Sequence, residues 1–129
     1  MRSNGFQLIR NYKDMESIRG LWESWERLPG GPTIFQSWEW NKAWCDHALH
    51  PGGACGLEIR LVEDRSGRPL AIVPLFSRRL LGNALRIVEF LGHRFSPHND
   101  ILLSEPGNPD LAHHVVSVLL APGMSTRFF

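Results

Sequence analysis

The sequence predicts an α/β domain, a mixed and mainly antiparallel sheet flanked by helices, and three observations carry that prediction. Four runs of strand-forming residues follow one another between Gly56 and Leu103 with only short turns between them. Helical periodicity with recognisable caps stands on both sides of this block, after Asp14, after Ser37 and after Asn108. The chain has 129 residues, 43% apolar and 21% charged, enough to bury the core of one ordinary domain without disulfides or metal.

The amino-terminal Gly5-Phe6-Gln7-Leu8-Ile9-Arg10 reads as a short strand with Phe6 and Leu8 on one face, ended by Asn11. Asp14 is the expected N-cap of a first helix. Met15, Ile18, Leu21, Trp22, Trp25 and Leu28 recur behind it at spacings of three and four, with Glu16, Arg19, Glu23 and Glu26 on the wet side. Pro29-Gly30-Gly31-Pro32 stops it. Ser37 caps a second helix running to about Leu49, with Glu39 in its positive first turn. Five tryptophans, Trp22, Trp25, Trp38, Trp40 and Trp44, crowd into these two helices, and such large flat side chains suit the roof of a sheet.

In the strand block, Leu57, Ile59 and Leu61 alternate with Glu58 and Arg60, the period of a half-buried strand with its charges facing water. After the turn Asp64-Arg65-Ser66-Gly67, the nearly unbroken apolar run 69–76 suits a central strand covered on both faces. Pro74 conflicts with a regular central ladder and predicts a bulge. Residues 85–91 and 100–103 supply the third and fourth strands. Asn108 as N-cap, Pro109 at the first helical position and Asp110 in the first turn then begin a helix that buries Leu111, Val115, Val118 and Leu119. The domain is expected over residues 1–123, with an unstructured tail over 124–129.

A net charge of +1 gives no electrostatic case for nucleic acid or a membrane surface, which leaves a small molecule or another protein as partner. The amino terminus lacks the apolar core of a signal peptide and no run is long enough to span a bilayer, the pattern of a cytoplasmic protein without membrane insertion. Cys45, His47, His50 and Cys55 are four potential zinc ligands, but their spacing is no standard finger. Cys45 and His47 would also point to different faces of a helix, so a buried thiol and surface histidines are the ordinary reading and no metal is expected.

Phe35-Gln36-Ser37-Trp38-Glu39-Trp40, followed by Ala43-Trp44, resembles the opening of the CelD-like acetyltransferase family. These are members of the GNAT superfamily associated with exopolysaccharide or cellulose biosynthesis and related to the Fem-type aminoacyl transferases. Leu70-Ala71-Ile72-Val73-Pro74-Leu75, the basic pair Arg78-Arg79, Leu85-Arg86-Ile87-Val88-Glu89-Phe90-Leu91-Gly92 and Asn99-Asp100-Ile101-Leu102-Leu103 come next in the family's order. The resemblance spans roughly residues 6–120. It implies a GNAT-like domain, the amino-terminal half of a double-GNAT protein, whose activity is N-acyl transfer from acetyl-CoA or another acyl-CoA to an amine on a small molecule, a sugar or a peptide. It also implies that the second half usually carries the main acyl-CoA site, so that this portion can be inactive alone. The alternative is a non-catalytic binding or scaffolding domain that packs on a second domain or in a homo-oligomer.

Arg79-Leu80-Leu81-Gly82-Asn83-Ala84 matches the letters of the GNAT phosphate-cradling loop, Gln/Arg-x-x-Gly-x-Gly/Ala, which nominates Arg79, Gly82 and Ala84 for cofactor binding. That loop must be followed by a helix. The alternation from Leu85 to Leu91 is closer to a strand and favours a hairpin turn there. His98 and Asp100 could act as general base and orienting carboxylate, with His93 nearby, against the alternative that these loop histidines are merely solvated. Arg78, Arg79 and Arg86 could hold an anionic substrate or simply be solvated, and His113-His114 is expected on a helix surface.

Overall fold

The computed structural model describes residues 2–3, 5–28, 37–48, 55–81, 85–90, 101–119 and 127–128. In chain order the described elements are β1 (Arg2–Ser3), β2 (Phe6–Ile9), α1 (Tyr12–Ser17), α2 (Arg19–Glu26), α3 (Trp38–Ala48), β3 (Cys55–Leu57), β4 (Ile59–Glu63), β5 (Pro69–Val73), β6 (Leu75–Leu80), β7 (Leu85–Phe90), β8 (Leu102–Leu103), α4 (Pro109–Leu119) and β9 (Arg127–Phe128). They build two sheets, ordered β1-β2-β4-β5-β8 and β3-β6-β7-β9. Every pairing is antiparallel except that of β7 with β9.

The two sheets share one long hairpin. Leu57 pairs with Phe76 in one sheet and Arg60 with Val73 in the other, and the register is the same on both sides of the break. The Glu58 N–H donates to the Leu75 carbonyl at 3.0 Å, so Glu58 and Leu75 form a hydrogen-bonded pair. By the antiparallel alternation, Pro74 then turns its ring nitrogen away from Ile59. It faces the strand's other edge, where the neighbour changes from β8 to β7. A proline fits this buried position because among the described residues no strand pairs with the edge its nitrogen faces. The bulge predicted at Pro74 is therefore an interruption without a register shift, and the shift lies between Val62 and Glu63, where the hairpin enters its turn.

Helices cover both faces of the hairpin. On one, Met15, Trp22, Trp25, Trp38 and Cys45 pack on Ile9, Leu57, Ile59, Leu61, Ile72, Phe76 and Leu102. On the other, Leu111, Val115 and Leu119 of α4 pack on Phe6, Val62, Ala71, Val73, Leu75 and Val88. The stripe expected as one helix is divided at Ile18, whose backbone (φ −99°, ψ 6°) separates α1 from α2. The N-cap is Asn11 rather than Asp14. Its backbone is extended, and its side-chain oxygen accepts the Asp14 N–H at 2.8 Å, which places Asp14 in the first turn.

Ser37 accepts from the Trp40 N–H at 3.1 Å, and Asn108 accepts from Asp110 and Leu111, as the sequence predicts for α3 and α4. Arg127–Phe128, assigned by sequence to an unstructured tail, forms β9 beside β7. Among the described residues no helix is long and apolar enough to cross a membrane.

Candidate functional site

A charged cluster lies on the α4-facing side of the shared hairpin, beyond the apolar patch that α4 covers. Alternation continued from β4 puts Glu58, Arg60 and Val62 on one face, and Arg10 follows Ile9, the last residue of β2 paired with β4, as Glu58 precedes its partner Ile59. Glu58 is 1% exposed and Arg60 3%. One Glu58 carboxylate oxygen accepts from Arg60 Nη2 at 2.8 Å, and the other accepts from Arg86 on β7. Between Glu58 and Arg86 the register places Gly56 and Ser77, two small residues facing one another. A Cβ built on Gly56 would lie 3.8 Å from the Ser77 hydroxyl, so the low floor leaves space for the Arg86 side chain to cross β6.

Burial, and then the charge of Arg10, pull the Arg60 guanidinium down to about 10; the same two causes in the same order lower Arg86. Arg10 thus acts on both of the guanidiniums that grip Glu58, although its own side chain is exposed. Arg60 also lies over the Phe6 ring at 5.2 Å, a cation–π contact at the margin of the α4 patch. The opposite face of the sheet carries a second ion pair: Arg78 Nε and Nη2 each donate to one Glu89 carboxylate oxygen at 3.1 Å. Nearby, the Trp44 ring of α3 packs on Phe76 at 4.8 Å.

Of the residues nominated from sequence, Gly82, Ala84, His98 and Asp100 lie outside the described residues, as do His50 and His93. Arg79 is exposed on β6, directly across from Arg86. The Arg79–Ala84 letters lead into a strand, β7, paired along its length with β6, and not into the helix that a phosphate cradle needs. Cys45 is fully buried, and burial with the nearby Asp46 pushes its thiol up to about 12. The side chains of His47 and Cys55 lie outside the described residues, and among the described ones no group of three acidic, cysteine or histidine side chains could hold a metal. His113 and His114 are exposed on α4.

Sequence reasoning missed Glu58 and Arg60, which alternation had placed in water. The signal was present on the partner strand. An apolar run over 69–76 implies cover on both faces, and a strand paired to it shares that cover.

Comparison of the chain with family models, with characterised proteins and with solved structures returns no match.

Proposed function

We propose that the chain is the amino-terminal sheet domain of a GNAT-type N-acyltransferase of the CelD-like kind, working with a second domain or subunit to move an acyl group from CoA to an amine acceptor. The observation that supports this reading is the order of the family-like segments along two mainly antiparallel sheets that share one hairpin. The segments 70–75, 85–90 and 102–103 occupy adjoining strands, and the Trp38–Trp44 segment is the helix that roofs them. In such a reaction the amine nitrogen attacks the thioester carbonyl, a C–N bond forms and the C–S bond breaks. The amine proton passes to a base and the CoA sulfur leaves as thiolate. His98 and Asp100 are the residues of this chain assigned to the base and its orientation.

Thiol release from acetyl-CoA, measured with the full chain over a panel of amines, tests the reading. Turnover that falls in His98→Ala and Asp100→Asn supports it, and turnover indifferent to both substitutions removes them from the chemistry. A second reading, a non-catalytic domain that packs on a partner, is favoured by the way Glu58 and Glu89 are engaged by arginines of the sheet itself. Acetyl-CoA binding with no thiol release for any amine would select it.

A further inference from the structure

No further inference is drawn: the strongest candidate, the Trp44 indole N–H buried where α3 packs on Phe76 of β6 and without a hydrogen-bond partner among the described residues, is closed to solvent, and nothing in the structure shows what acceptor would reach it.

Discussion

At the scale of single residues, Glu58 shows how far environment overrides pattern. Its carboxylate is buried, and the pair of guanidiniums on its two oxygens compensates the lost hydration. Removing one member of such a group leaves a charge in the interior without its counter-ion, at about 3–5 kcal/mol. Glu58→Ala should therefore lower the urea unfolding free energy by that order. Cys45 gives a second prediction, in pH. Its thiol is pushed up to about 12, above the ordinary 9.0, so between those values the folded chain keeps a proton that the unfolded chain has released. Stability is then level in this group below about pH 9 and falls as pH rises toward about 12. In Cys45→Ala the urea midpoint should drop less between about pH 8 and pH 10 than in the parent chain. A buried thiol at Cys45 was the ordinary reading of the sequence, but a period-2 pattern cannot reveal the setting of Glu58. It assigns alternate residues to alternate faces but does not say that the second face is also covered, which for Glu58 involves the Arg86 side chain of β7, nearly thirty residues further along.

At the scale of elements, local chemistry was legible where a short signal acts alone. Ser37 and Asn108 cap their helices as their positions suggest, and the Leu111–Val115–Leu119 stripe is buried as spaced. The first helical stretch was less legible because two capping residues compete there. Asn11, on an extended backbone, reaches the Asp14 N–H and starts the helix earlier, and the turn at Ile18 then re-aims the chain so that Trp22 and Trp25 face the sheet. Arg19 at the start of α2 links the three amino-terminal helices. It pairs with Glu16, Glu23 and with Glu39 on α3, and lies over the Trp38 ring at 4.2 Å. Trp22 is fully buried at the centre of this roof. Trp22→Ala should cost about 3–5 kcal/mol through lost contacts and the cavity left behind. Lys13→Ala on the exposed side of α1 should stay within about 0.5 kcal/mol, both measured by equilibrium unfolding.

At the scale of the whole molecule, Pro74 marks where one pair of strands passes from the first sheet to the second. The proline was visible in the sequence, but its consequence was not. Whether it makes a bulge or a bare interruption depends on which edge its nitrogen faces, and the Glu58–Leu75 hydrogen bond decides that. Pro74→Ala would introduce an N–H donor at a buried edge where no described strand pairs with it. It should destabilise the chain by about 1–3 kcal/mol, although alanine is the less restrictive residue. A urea curve showing Pro74→Ala equal to or more stable than the parent would contradict that placement. The candidate site is likewise a property of the whole. Arg10, Glu58, Arg60 and Arg86 come from three separate stretches of chain, and only the pairing of β2, β4, β6 and β7 brings them to one face.

Because the same two ribbons run through both sheets in one unbroken count, neither sheet is a module that could be lengthened or exchanged by itself. A single amino acid inserted between Leu61 and Val62 would leave the β3–β6 pairing untouched while turning the remainder of its ribbon inside out. Evolution can adjust this molecule at its helices and turns, but the hairpin admits changes of length only in compensated pairs.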